Sequence, residues 1–398
     1  YTTGYVFWNY QVPDNPRSGS SQDYEVDGLQ TINDINGDGV GEVVIATENY
    51  WLLCLDGNSS GTPDTLWSFN TYISNFSAGS IGASWDYGVQ DAIDIASDLN
   101  GDGYNDVVIA TGGGNEHVYA VNGTNGEMLW QYGTDDPNSY GLGDFEAVDA
   151  KRDFTGDGVP DVLAIADGNT QGTGYKKAYL FNGANGNMVW NYPYPGPNPS
   201  FGKTIISTED LTGDQIPDAV IAVGNNGSSD LKTYLLDGTT GFPVWDRPAI
   251  SHEPKELLEL PVPGQTSDII VGEYFQYVQR LDGETGIPVW TQNLGSLAGI
   301  IQMDLIKDVN GDGISDVLIA SFTAGATCLS GADGAWLWSW PMDFQYGISS
   351  VPDLNGDGFD DVIVASGTNN PNSGAFYCLS GKGDSLMFSY QIMTGRTR

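Results

Sequence analysis

DLNGDGYNDVVIA, at 98–110, decides how the rest of the chain reads. Oxygen-bearing side chains stand at positions 1, 3, 5 and 9 of its loop: Asp98, Asn100, Asp102 and Asp106. Two glycines let the loop turn tightly. A tight loop with oxygens at that spacing is a ligand set for calcium, a hard cation that takes oxygen ligands. The apolar, β-branched run that follows at once reads as a buried strand.

The loop recurs. It reads DINGDGVGE at 34–42, DFTGDGVPD at 153–161, DLTGDQIPD at 210–218, DVNGDGISD at 308–316 and DLNGDGFDD at 353–361. Successive starts lie 64, 55, 57, 98 and 45 residues apart. The gap of 98 holds a lapsed copy, LPVPGQTSDIIVGE (260–273), which keeps Asp268 and the strand but not the other ligands. The chain therefore has seven units, six of them with a complete loop.

A second motif follows each loop: a run ending in L-D/N/S-G, a turn, then a run with an aromatic residue. VYAVNGTNGEMLW (118–130), AYLFNGANGNMVW (178–190), TYLLDGTTGFPVW (233–245), VQRLDGETGIPVW (278–290) and ATCLSGADGAWLW (326–338) are examples. Asn, Asp and Gly in the turn suit a hairpin with positive φ. Each unit reads as four strands: a before the loop, b after it, c up to the turn, and d carrying the aromatic. Seven such units predict an all-β, seven-bladed propeller of four-stranded antiparallel blades. GYVFWNYQ (4–11) looks like a further d strand, comparable to GNMVWNYP (186–193), with no a, b or c before it. An eight-bladed arrangement is the alternative. The extra strand either flanks the last blade or exchanges with a neighbouring subunit. The expected organisation is an N-terminal strand and linker (1–25), the propeller (26–390) and a tail (391–398).

The loop and the strand after it resemble the FG-GAP or VCBS repeat family, typified by the integrin α-subunit propeller. The Trp hairpins resemble the tryptophan-docking repeats of quinoprotein-like propellers. In loops of this type side chains at positions 1, 3 and 5, a backbone carbonyl at 7 and a carboxylate at 9 surround the ion. The resemblance thus implies about six calcium ions on Asp34, Asn36, Asp38, Val40 and Glu42; Asp98, Asn100, Asp102, Tyr104 and Asp106; Asp153, Thr155, Asp157, Val159 and Asp161. The remaining sets are Asp210, Thr212, Asp214, Ile216 and Asp218; Asp308, Asn310, Asp312, Ile314 and Asp316; Asp353, Asn355, Asp357, Phe359 and Asp361. Glu42 is the longer carboxylate at its position, and Gln215 replaces the position-6 glycine of the fourth loop. Repetition as an architectural unit reads as structural calcium, since catalytic metals are usually solitary. Calcium sites of about 0.1–1 mM affinity belong to extracellular modules, so the expected setting is extracellular, cell-surface or periplasmic.

Composition narrows the partners. The chain of 398 residues carries 14 Lys+Arg against 52 Asp+Glu, a net charge of -38. That excludes a basic nucleic-acid footprint and an anionic membrane surface as partners. No apolar run approaches the roughly 20 residues of a membrane span. Cys54, Cys328 and Cys378 occupy equivalent places in their repeats and are expected as buried free thiols.

Propeller strands alternate direction, so the a–b and c–d turns share one face and the b–c and d–a loops the other. The second face carries the long, irregular segments where ligands are normally mounted. Aromatics there suit sugar rings or protein ligands: Tyr72, Phe76, Trp85, Tyr87, Tyr140, Tyr194 and Phe201. No catalytic constellation stands out. His117 and His252 read as surface or turn residues, and the chain lacks the adjacent cysteines often seen in quinone enzymes. The expected function is a non-catalytic, calcium-stabilised propeller for adhesion, protein or glycan binding, or self-assembly. A secreted polysaccharide lyase or hydrolase, and a subunit of a strand-exchanged surface filament, are the alternatives.

Overall fold

The structure is a computed structural model. It describes residues 8–14, 26–47, 49–71, 92–112, 116–133, 143–167, 176–194, 201–224, 231–295, 299–342, 345–367 and 373–393. Strands β1 to β28 fall into seven four-stranded antiparallel sheets, each built from four consecutive strands. In chain order the blades are β1–β4 (26–70), β5–β8 (93–132), β9–β12 (145–193), β13–β16 (201–248), β17–β20 (254–293), β21–β24 (300–340) and β25–β28 (345–393). The fold is a seven-bladed β-propeller, as the repeat count predicts. The described residues hold no α-helix, and no helix is long and apolar enough to cross a membrane.

The acidic loops join the first and second strands of their blades. Blade 2 illustrates the rule. β5 (Ile93–Ala96) leads into the loop, and β6 (Asp106–Ala110) leaves it buried along its whole length. β7 (Val118–Val121) is equally buried, whereas β8 (Met128–Tyr132) exposes part of its surface. The runs VVIA and VYAV are apolar on both faces because neighbouring blades cover both faces of the middle strands. In register, strand c places one residue opposite the d-strand aromatic: Cys54 to Trp67, Ala120 to Trp130, Leu180 to Trp190, Arg280 to Trp290, Cys328 to Trp338 and Cys378 to Phe388.

The chain divides into two compact units. One takes Val6–Asp230 and Tyr234–Val244. Its core includes an aromatic cluster in which Tyr179 stacks on Phe181 and Tyr132 lies 4.6 Å from Phe181. The other takes Leu231–Thr233 and Trp245–Arg398. Leu260, Ile270, Trp290, Met303 and Ile319 pack together within it.

The eight-bladed alternative is set aside, because residues 8–14 join no sheet. Their one strand-like contact is a parallel bridge from Trp8 to Gly61 of blade 1. The three cysteines are buried free thiols. Burial pushes the Cys54 thiol up to about 12 and that of Cys378 to about 11, which leaves them protonated and unreactive. His117 is a correction. It is fully buried directly before β7, where it stacks on Tyr119 at 5.2 Å.

Candidate metal centres on the acidic loops

Each loop is organised by its first carboxylate. In blade 2, Asp98 Oδ1 accepts the N–H groups of Gly101 and Asp102 at 2.5 and 3.0 Å, and Oδ2 accepts that of Gly103 at 2.8 Å. Asn100 Oδ1 takes the Asp102 N–H, and Asp102 Oδ1 takes the Tyr104 N–H. The same bonds recur in the other loops, as from Gly39 to Asp34, Gly158 to Asp153, Gly313 to Asp308 and Gly358 to Asp353. These N–H groups hold Asp34, Asp308 and Asp353 below the usual carboxylate range. In the fourth loop Gln215 adopts the same left-handed backbone, φ 74, and gives its N–H to Asp210.

The ninth residue does something different. Glu42, Asp106, Asp161, Asp218, Asp316 and Asp361 are all fully buried. Asp106 Oδ2 accepts the Leu99 N–H of its own loop at 2.8 Å, while Oδ1 accepts the Gly123 N–H of its blade's c–d turn at 3.0 Å. Gly183, Gly238, Gly331 and Gly381 bond Asp161, Asp218, Asp316 and Asp361 in the same way, and Gly57 bonds Glu42. Burial pushes the carboxyls of Asp106 and Asp316 up to about 6, and those of Glu42, Asp161 and Asp218 upward.

In the second and sixth loops the third, fifth and ninth side chains meet. Asn355 Nδ2 lies 3.1 Å from Asp357 Oδ2 and 3.2 Å from Asp361 Oδ1, and Asn100 bridges Asp102 and Asp106 in the same way. In the third loop Thr155 Oγ1 reaches Asp161. The c–d turn also contributes: Asn122 donates to Asp102, Asn182 to Asp157, Thr239 to Asp214, Ser330 to Asp312 and Ser380 to Asp357. The sequence motif contained these turn residues, but their contact with position 5 depends on hairpin register and is not visible in spacing.

The donor set fits a hard cation. It is all oxygen, and buried Glu42 Oε1 has no hydrogen-bond partner. Among the described residues, no three His, Cys, Asp or Glu side chains stand close enough to hold a metal by themselves. A bound ion would draw also on Asn36, Asn100, Thr155, Thr212, Asn310 and Asn355, and on the backbone at Val40, Tyr104, Val159, Ile216, Ile314 and Phe359. The lapsed fifth blade supplies a contrast. Asp268 still accepts the turn N–H, from Gly283 at 3.1 Å, but Arg280 Nε donates to its other oxygen at 2.6 Å. A fixed guanidinium stands beside the one ninth-position carboxylate whose loop has lost its other ligands.

The aromatic ligand candidates fare differently. Tyr72, Phe76, Trp85, Tyr87 and Tyr140 lie outside the described residues. Phe201 opens β13, its backbone opposite Gly224. Tyr194 is buried, and its hydroxyl donates to the Ala166 carbonyl, so it packs the blade and offers no ring face. Sequence reading passed over one buried group on this side. Asp167 is buried near Asp144 and Glu146, and burial together with the Glu146 charge raises its carboxyl well above the ordinary range.

Residues 344–377, in blade 7, match the FG-GAP repeat family model. A search of the curated proteins finds no match. Among solved structures the chain is similar to BBS1N, crystallised in complex with ARL6DN, at 14% identity and a TM-score of 0.55, covering 98% of this chain and 97% of that one. It is similar to Chaetomium thermophilum Raptor at 9% identity and a TM-score of 0.51, over 94% of this chain and 28% of that one. A europium-containing methanol dehydrogenase matches at 12% identity and a TM-score of 0.51, over 89% and 77% of the two chains. At these identities the likeness is one of fold.

Proposed function

We propose that the chain is a non-catalytic, calcium-stabilised propeller that works outside the cytosol as a scaffold for binding other molecules. The observation that carries this reading is the position-9 carboxylate. Each one is buried and ties the acidic loop to the c–d turn of its blade, so an ion held there braces a whole blade end. Burying a carboxylate is unfavourable without a counter-charge. Arg280 provides that charge in the blade whose loop has lapsed, and calcium provides it in the other six. Millimolar calcium outside the cell suits sites of this type. The FG-GAP match in blade 7 and the protein partner of BBS1N support a scaffold that presents loops to a protein or glycan on the face opposite the calcium.

Thermal unfolding with and without chelator tests it. A site held at about ten times its dissociation constant adds about 1.4 kcal/mol, so six together shift the midpoint by many degrees. Calcium restores the loss, and magnesium does so poorly. A midpoint indifferent to chelator sinks the reading.

A further inference from the structure

Six d-strand tryptophans make the same bond to the blade that follows. Trp67, Trp130, Trp190, Trp245, Trp290 and Trp338 donate from Nε1 to the carbonyls of Gly123, Gly183, Gly238, Gly283, Gly331 and Gly381, at 2.7–2.9 Å. A seventh bond of this kind comes from outside any blade. Trp8 Nε1 donates to Gly57 O, at 3.3 Å. Around it Asn9 donates its N–H to Gly61 O at 3.0 Å, and the Tyr10 hydroxyl meets Thr65 Oγ1 at 2.9 Å. Val12 is buried against Ile45, Leu53 and Leu55, and Asn49 donates to the Pro13 carbonyl. Residues 8–14 thus play toward blade 1 the part that a preceding d strand plays toward every other blade.

We infer that this segment is an exchangeable plug, and that the slot on blade 1 receives residues 8–14 from a second copy of the chain. Three features favour exchange. The Trp8 bond is longer than the six between blades, and the segment joins no sheet. The connector to β1, NPRSGSSQDYE at 15–25, is polar and holds Pro, Gly and Ser. A connector of eleven residues can reach at most about 40 Å. An exchanged strand makes the same contacts as one kept at home, so the choice depends on hinge strain and concentration. Exchanged reciprocally between two copies the segment closes a two-fold dimer, and passed on from copy to copy it builds chains or rings. The inference deepens the scaffold reading by naming a second copy as one protein partner.

The test is the mass of the full chain by light scattering across a concentration series, with calcium saturating. Multimers that grow with concentration are expected. Trp8→Ala, and separately Val12→Asp, are expected to lower the multimer fraction at least about tenfold with unchanged circular dichroism. A synthetic peptide of residues 4–14, added in excess to the unmodified chain, caps the assemblies and shortens them without any mutation. Monomers at every concentration, or multimers indifferent to both variants and to the peptide, overturn the inference. Because calcium is held saturating, such a result leaves the chelator experiment, and the scaffold reading it tests, standing on their own.

Discussion

Trp67 of blade 1 and Asp106 of blade 2 are joined through one residue that touches both. Gly123 gives its N–H to Asp106 Oδ1 at 3.0 Å and accepts Trp67 Nε1 on its carbonyl at 2.7 Å. A Cβ on Gly123 would overlap the Asn105 carbonyl oxygen, so only glycine fits between the two. The acidic loop of one blade and the outer strand of the blade before it therefore share a support.

That sharing makes their energies interdependent. Asp106→Ala leaves the buried Gly123 and Leu99 N–H groups without their acceptor and is expected to destabilise by about 2–4 kcal/mol. Trp67→Phe keeps the ring but loses the indole donor, at about 1 kcal/mol. The double variant is expected to lose less than the sum by at least about 0.5 kcal/mol. Urea unfolding of the four proteins closes the cycle. Strict additivity would show that Gly123 does not couple them.

Arg280 offers a sharper test, because its charge is internal. It occupies the c-strand position held by Cys54, Ala120, Leu180, Cys328 and Cys378 in other blades. It pairs with Asp268 and also donates to the Gly331 carbonyl at 2.9 Å. Arg280→Met strands a buried carboxylate and is expected to lose about 3–5 kcal/mol. Adding Asp268→Asn removes the stranded charge and is expected to recover part of that loss. Calcium should rescue neither variant, since blade 5 lacks the other ligands. Rescue by calcium would refute the assignment of Arg280 as the built-in counter-charge.

The blades were legible in the sequence because one loop and one hairpin repeat at near-even spacing, and a lapsed copy still kept Asp268 and its strand. The links between them were not. Asp106, Gly123 and Trp67 are brought together only by hairpin register and blade stacking. Arg280 did leave a signal: it is a charged residue at a place filled elsewhere by Cys, Ala or Leu. His117 and Tyr194 misled for the same reason. Each borders a segment rich in Gly or Pro, yet each side chain turns back into the blade, under Gly133 in one case and onto Ala166 in the other.

Gln215 should be improvable. Its φ of 74 lies where glycine stands in the other five complete loops. A side chain in that conformation costs about 1–2 kcal/mol. Gln215→Gly keeps the N–H bond to Asp210 while releasing the strain, less the entropy that glycine adds to the unfolded chain. The expected gain is about 0.5–1 kcal/mol, with tighter calcium binding by titration calorimetry. Gly103→Ala in the second loop is expected to move the other way. A destabilised Gln215→Gly would mean that the glutamine side chain contributes more than its backbone strain removes.

Asp94 sets a pH dependence separate from the loops. It lies on β5, nine-tenths buried, and Oδ2 accepts the Ala150 N–H at 2.8 Å. Burial pushes its carboxyl from 3.8 up to about 6, with Lys151 opposing and Asp149 reinforcing the rise. A folded value above the unfolded one means that the fold favours the protonated form. That stability is present below about pH 4 and is lost as pH rises through about 6. Asp94→Asn still accepts from Ala150 but cannot ionise. At fixed calcium, the wild-type chain is therefore expected to lose of order 2 kcal/mol relative to Asp94→Asn between pH 4 and 7. Denaturant midpoints of the two proteins at each pH measure it. The Asp106 and Asp316 carboxyls, also pushed up to about 6, are common to both chains, so they cancel in the difference. A gap that stays constant across the series would show that Asp94 is already ionised at pH 4, and that its burial is compensated by Lys151.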